Sequence, residues 1–209
     1  MTTEAAPLFI AFEGGDGSGK STQARLLRDW LVGRGREVVL TREPGGTELG
    51  RRLRQEVLHG EDLDPRTEAL LYAADRAHHV HTLVRPALAR GAVVVTDRYI
   101  DSSVAYQGAG RALGSEEIRD LSVWATGGLL PDLTVVLDVD AATAAGRRSR
   151  TPDRLEREPH DFHEEVRAAF LALAAADPDR YVVVDSSRPR EDVHAAVLAA
   201  VAPLVEVAR

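Results

Sequence analysis

The residues best suited to chemistry lie between Leu8 and Thr22, in the run LFIAFEGGDGSGKST. Gly14, Gly19, Lys20 and Ser21 fit G-x-x-x-x-G-K-[ST], a loop whose residue types suit phosphate. Glycine lets the backbone take φ > 0 and turn its N–H groups toward phosphate oxygens. The helix that follows adds its positive end. Gly14, Gly15, Asp16, Gly17, Ser18, Gly19, Lys20, Ser21 and Thr22 are therefore the expected cradle for a nucleotide's phosphates. Lys20 would reach the terminal phosphates as a compact charge, and the Ser21 hydroxyl would ligate Mg²⁺. A chance match in a chain this long is on the order of one in a hundred. Lys20 is also the only lysine; every other member of the 26 Lys+Arg residues is arginine. A planar guanidinium does not replace an ammonium in a tight cradle.

A second group follows further apolar runs. Asp97 ends the run AVVVTD, the arrangement in which a carboxylate holds Mg²⁺ or its water. Arg98 comes next, and is either aimed at an acceptor phosphate or a salt-bridged structural arginine. After Thr41 the segment REPGGTELG turns at Pro44-Gly45-Gly46, and Thr47 is placed to cap a helix. Arg147, Arg148, Arg150, Arg154 and Arg157 crowd one stretch. Such runs are usually solvated faces. Pro152 and Pro159 argue against a continuous helix there and favour a mobile lid over 147–159 that closes on polyphosphate.

These residues need elements to position them. Five apolar runs recur: Leu8–Phe12, Val38–Leu40, Ala92–Val95, Leu133–Val139 and Tyr181–Val184. Continuous β-branched runs suit strands covered on both faces. Helical patterns lie between them. Gln23–Val32 places Leu27, Trp30 and Leu31 together. Pro65–Arg90 has Asp64 as its cap and Pro65 in its first turn, and Pro86 should kink or split it. Strands alternating with helices predict an α/β, doubly wound, five-stranded parallel sheet in a single domain, 1–209. In such sheets, ligands bind at the carboxyl ends of the strands.

The 209 residues, 44% hydrophobic and 28% charged, suit a globular core. Cysteine is absent, which excludes disulfides, thiolate metal sites and a thiol nucleophile. No apolar stretch approaches the roughly 20 residues of a membrane span. MTTEAAP has neither the basic residues nor the apolar core of a secretory signal. A cytoplasmic protein without membrane or nucleic-acid partners is expected, since the net charge of -7 disfavours a duplex-binding surface. His78, His79 and His81, and the pair His160 and His163, lack a third ligand at metal spacing and read as solvated or satisfied helix histidines.

Together, FEGGDGSGKST (12–22), TREPGGTELG (41–50), LLYAADRAHHV (70–80), VVTDRYIDSSVAYQG (94–108), LLPDLTVVLDV (129–139) and DRLE (153–156) closely resemble the bacterial thymidylate kinases. That resemblance spans almost the whole chain and implies a P-loop fold like that of nucleoside-monophosphate kinases. It implies transfer of the γ-phosphoryl of Mg·ATP to dTMP, with Mg²⁺ at Ser21 and Asp97, in a homodimer. Asp16 matches the acidic residue on the 3′-hydroxyl side of dTMP. Pro44 would line the base pocket, Tyr72 stack on thymine, and Arg76 bond the base. Arg98 would hold the acceptor phosphate, with Arg54 assisting. Ser103 would face the base edge, with Tyr106 and Gln107 near the deoxyribose and base. Asp185–Pro189 should lie beside adenine. The loop lacks the arginine that one branch of the family carries there, so the chain resembles the branch with lid arginines. Arg147 would then touch donor phosphates, and Arg150 or Arg154, or both, would touch the transferring group only when the lid is shut.

Without the family, Tyr72 would more often be core, though Arg76 one turn away can share its pocket. Three other readings remain: another nucleoside-monophosphate kinase of this fold, a regulatory ATP-binding module without chemistry, or a nucleotide-gated switch such as a GTPase. The last requires a guanine-reading N-K-x-D motif, and the chain has no asparagine.

Overall fold

The computed structural model describes residues 6–147 and 153–207 of the 209. Five strands, β1 (Leu8–Glu13), β2 (Val38–Arg42), β3 (Val93–Asp97), β4 (Leu133–Asp138) and β5 (Tyr181–Asp185), form one sheet in the order β2-β3-β1-β4-β5. All four pairings are parallel, with Leu8 opposite Val93 and Ile10 opposite Leu133. This is the sheet the apolar runs predict. Alternation along β1 feeds two cores. Leu8, Ile10 and Phe12 pack with α1 (Lys20–Val32) and α9 (Arg190–Val207), whose Val193, Val197, Val201 and Val205 repeat at helical spacing. Phe9 and Ala11 pack on the opposite face with Val94, Val84 and Val104. Both faces of the three central strands, β1, β3 and β4, are therefore covered, which is why these read as unbroken apolar runs.

Each strand ends at its carboxyl edge on a charged residue: Glu13, Arg42, Asp97, Asp138 and Asp185. An apolar strand that surfaces at one end on ionisable groups brings them to a common edge. The site is built there.

The helix from Pro65 does not break at Pro86. It runs as α3 (Pro65–His79), loosens into a π turn over Val80–Val84, and continues as α4 (Arg85–Ala89). The wider turn absorbs the missing proline N–H and the ring that would clash with a preceding carbonyl. Asp64 caps α3, accepting from the Arg66 and Thr67 amides at 3.1 Å. A second π turn, Val104–Gly110, follows the short α5 (Ile100–Ser103) and carries Tyr106 and Gln107. The remaining helices are α2 (Glu48–His59), α6 (Ser115–Thr126), α7 (Ala141–Arg147) and α8 (His160–Ala176).

Candidate active site

The phosphate loop joins β1 to α1. Gly14, Gly17 and Gly19 have φ of 129°, 86° and 94°. A Cβ on Gly14 would sit 2.4 Å from the Leu137 carbonyl oxygen, and one on Gly17 would sit 2.3 Å from that of Ala144. Conformation and space both demand glycine at these two positions. Lys20 curls back over the loop, its Nζ donating to the carbonyls of Gly14 (2.9 Å) and Gly15 (2.7 Å). Burial, reinforced by the Arg98 charge, pushes its pKa down to about 8. The Ser21 hydroxyl donates to the Asp97 carboxylate, so the two residues expected to hold Mg²⁺ are in contact. Hard oxygen donors of this kind suit Mg²⁺, which commonly takes one or two protein oxygens and completes its shell with phosphate and water. Among the described residues no group of three or more His, Asp or Glu could hold a metal ion.

These groups border an open basin of about 920 Å³. Its walls include Asp16, Gly17, Gly19, Lys20, Ser21, Thr22, Asp97, Arg98 and Arg147, as well as Arg42 and Arg54. A neighbouring cavity of about 490 Å³ reaches Ser186 and Arg188, within the segment expected beside adenine. Arg147 borders both and donates from Nη1 to the Ser186 carbonyl at 2.9 Å.

A second cavity adjoins the basin and shares Asp16, Glu43, Arg54 and Arg98 with it. Asp16, Pro44, Arg54, Tyr72, Arg76, Arg98, Ser103, Tyr106 and Gln107 all line it. The structure therefore brings together every residue expected around an acceptor nucleotide, from five separate segments. Arg98 stands at the junction. It donates to Asp16 Oδ1 (2.6 Å), Ser102 Oγ (2.8 Å), Tyr106 Oη (3.2 Å) and the Gly14 carbonyl (3.2 Å). The Tyr106 hydroxyl in turn donates to Asp16 Oδ2 at 2.8 Å. Burial alone would raise the Asp16 carboxyl; the charges of Arg98 and Lys20 outweigh it and hold Asp16 well below the usual carboxylate range.

Arg76 forms one wall of this cavity and is buried, with Nε on Glu43 (2.7 Å), Nη1 on Ser122 Oγ (3.0 Å), and Nη2 on the Tyr99 carbonyl (2.9 Å) and Ser103 Oγ (3.1 Å). A guanidinium has five N–H groups. Four are used here, and one on Nη1 has no partner among the described residues. Glu43 also bonds His79 Nδ1 (2.8 Å), whose Nε2 meets Thr41 Oγ1 (2.7 Å). His79 is thus a satisfied core histidine.

Only the two ends of the arginine-rich stretch fall within the described residues. Residues 148–152, Arg150 included, lie outside the described residues. Arg154 is not among the residues lining either cavity in this conformation. Its Nε and Nη2 donate to the Val57 carbonyl (3.1 and 2.9 Å), and Nη2 makes an ion pair with Glu68 at 2.5 Å, off the axis of a hydrogen bond. The reason is Glu68 itself. It is fully buried and also accepts from Gln107 Nε2 (2.7 Å), and a buried carboxylate needs a cation. The neighbours Asp153 and Leu155 do line the acceptor cavity.

Sequence reasoning passed over Glu13, Arg42, Glu43 and Ser102. A charged residue closing an apolar strand, the feature that singled out Asp97, also marks Glu13 and Arg42. Glu13 is fully buried, and burial with the nearby Asp101 pushes its pKa up to about 7.

Comparison with known proteins agrees with this geometry. The thymidylate kinase family model matches residues 12–197. The chain is 65% identical to a thymidylate kinase of Clavibacter michiganensis over 91% of this chain and 92% of that one. It is 63% identical to one of Leifsonia xyli, over 94% and 95%. A crystal structure of thymidylate kinase from Ehrlichia chaffeensis superposes with a TM-score of 0.80 at 32% identity, over 94% of this chain and 99% of that one. A phosphate loop opening on a basin, a pocket for a second nucleotide beside it, and these relatives across nearly the full length give one assignment: the chain belongs to the thymidylate kinase family.

Proposed function

We infer that the chain transfers the γ-phosphoryl group of ATP to dTMP, giving ADP and dTDP. The observation that carries this reading is the contact of two cavities at Asp16 and Arg98, one walled by the phosphate loop and one by Tyr72, Arg76 and Gln107. In that arrangement Arg98, with Arg54, holds the phosphate of dTMP at the junction, and Tyr72 and Arg76 hold the base. A phosphate monoester is largely dianionic at pH 7, since its second pKa is about 6. One of its oxygens attacks the γ-phosphorus directly, ADP leaves, and no general base is required. What the protein supplies is alignment and positive charge. Lys20 and the loop amides supply it on the donor side. Mg²⁺ held through Ser21 and Asp97, when bound, neutralises part of the phosphate charge.

The loop carries no arginine, so we assign the chain to the branch that uses lid arginines. Arg147 borders the basin already, and Arg150 would join it from a lid over 147–159 of a single kinase domain. Arg154, paired with Glu68, braces the acceptor pocket in the present conformation. We further propose a homodimer, supported by Trp124 on α6 and Leu70 on α3, which are 80% and 58% exposed although large and apolar. No described helix is long and apolar enough to cross a membrane, which is compatible with the cytoplasmic setting proposed here.

A coupled assay with ATP and dTMP, dUMP, dCMP, dAMP and dGMP tests the reading. The highest kcat/KM is expected for dTMP. A higher value for another monophosphate would make the chain a different nucleoside-monophosphate kinase. Turnover of none would leave a nucleotide-gated binding module.

A further inference from the structure

Arg98 is held in a backbone conformation that arginine does not favour. Its φ is 74°, in the left-handed region. A non-glycine residue stays there only where its surroundings over-determine it. Here they do, from three sides. The Arg98 amide donates to the Phe12 carbonyl (2.9 Å), and the Arg98 carbonyl accepts from Thr96 Oγ1 (2.9 Å). The next amide, that of Tyr99, donates to Glu13 Oε1 at 2.8 Å.

Glu13 does more than accept that one bond. Oε1 also accepts from the Ser102 amide (3.1 Å), and Oε2 accepts from Ser102 Oγ (2.6 Å). The same Ser102 Oγ takes a bond from Arg98 Nη1. One buried carboxylate therefore fixes the turn that follows Arg98 and, through Ser102, the guanidinium itself. On its other side Glu13 leads directly into Gly14, whose carbonyl accepts from both Lys20 and Arg98.

We propose that Glu13 is a positioning residue: it locks the left-handed turn at Arg98 and so aims that guanidinium at the acceptor phosphate. The cost of burying an acid at the end of β1 is met by the three donors it gathers from the 99–102 turn. Asp101 on α5, Tyr181 on β5, Lys20 on α1 and Arg98 are the charged or ionisable groups around it. None of them bonds it directly. Its bonded partners all belong to the segment that carries Arg98, the pattern expected of a latch rather than of an ion pair. This role rests on Arg98 facing the acceptor phosphate, and the measurement below separates the two statements.

The test is steady-state kinetics on Glu13→Ala, Glu13→Gln, Arg98→Ala and the Glu13→Ala/Arg98→Ala double variant, with folding followed by circular dichroism. Glutamine can still accept from the Tyr99 and Ser102 amides and can donate to Ser102 Oγ. Glu13→Gln should therefore keep the KM for dTMP within about threefold. Glu13→Ala should raise it about tenfold while the KM for ATP stays within twofold. In the Arg98→Ala background, removing Glu13 should add little, because residues that act as a unit are not additive. If wild-type protein uses dTMP but Glu13→Ala leaves its KM unchanged, raises both KM values together, or multiplies the Arg98→Ala loss in full, the latch is wrong. If Arg98→Ala alone leaves dTMP kinetics untouched, the acceptor role of Arg98 fails instead, and the latch with it. Should Glu13→Ala not fold, Ser102→Ala cuts one link of the latch. A rise of about threefold in dTMP KM alone supports the latch, and no change overturns it.

Discussion

Asp16 and Arg98 come from opposite ends of the site, one from the phosphate loop and one from the residue after β3, and meet at 2.6 Å. Tyr106 bonds both. The pair stands where the donor basin and the acceptor pocket share a wall, so a phosphate arriving in either cavity meets a guanidinium already oriented by a carboxylate. Pre-orientation of this kind lowers the ordering cost of binding.

Arg98→Ala should raise the KM for dTMP at least tenfold, because losing one partner of a charge-assisted bond costs about 1.5–3 kcal/mol. ATP binding, measured by calorimetry, should change little. Collapse of ATP binding with normal dTMP kinetics would exchange the two cavities.

Lys20→Ala should lower kcat by roughly 10²–10³-fold or more, the scale of removing an electrostatic group aimed at the reacting phosphoryl. Circular dichroism should remain native, since the lysine's own bonds are only to loop oxygens. A folded variant with normal turnover would refute the donor site.

Arg154→Ala should act first on stability. Among the described residues it leaves Glu68 buried with only Arg111, 3.5 Å away, as a cation. Breaking a buried pair costs about 3–5 kcal/mol, and the remaining arginine puts the expectation at or below the low end, about 3 kcal/mol, read as a shift in urea midpoint. Roughly 10²-fold loss of kcat with an unmoved midpoint would instead show Arg154 working on the phosphates from a closed lid.

Asp75→Asn should make the protein more stable at pH 7–8 and flatten its stability between pH 4 and 6. Burial, and then the nearby Glu43 charge, push the Asp75 carboxyl from its ordinary 3.8 up to about 6. Its Oδ2 has no hydrogen-bond partner, while Oδ1 accepts weakly from the Gly45 amide at 3.4 Å. A carboxyl raised on folding stabilises the native state at low pH. That contribution fades as pH rises from about 4, where the unfolded chain ionises, through 6, where the folded one does. Thermal melts of both proteins across pH 4–8 check this. Parallel curves for the two would dismiss Asp75 as the source.

The strands and the phosphate loop were legible because local pattern decides them. A short unbroken β-branched run suits a strand covered on both faces, as β1, β3 and β4 are, and G-x-x-x-x-G-K-S tolerates few substitutions. The acceptor cavity was legible through family resemblance, as no local rule places Tyr72 beside Pro44 and Gln107. The pairing of Arg154 with Glu68 was not legible, because a crowd of arginines shows available charge but not where a buried acid waits. Glu68 lies on α3, far from that stretch in sequence, and its burial depends on how the helix packs. Pro86 correctly signalled a disturbance, yet the chain met it by widening a turn. Glu13 escaped notice because three of its partners come from a turn that exists only once β1 and β3 have paired.

Lys20 has one further consequence. Its ε-amine is the only one in the chain, it is almost buried, and its pKa is drawn down to about 8. Amine-directed labelling under mildly alkaline conditions therefore has a single side-chain address, inside the phosphate cradle. The extent of modification at that residue, read by mass spectrometry on otherwise unaltered protein, reports how open the cradle is, and a nucleotide seated there should shield it.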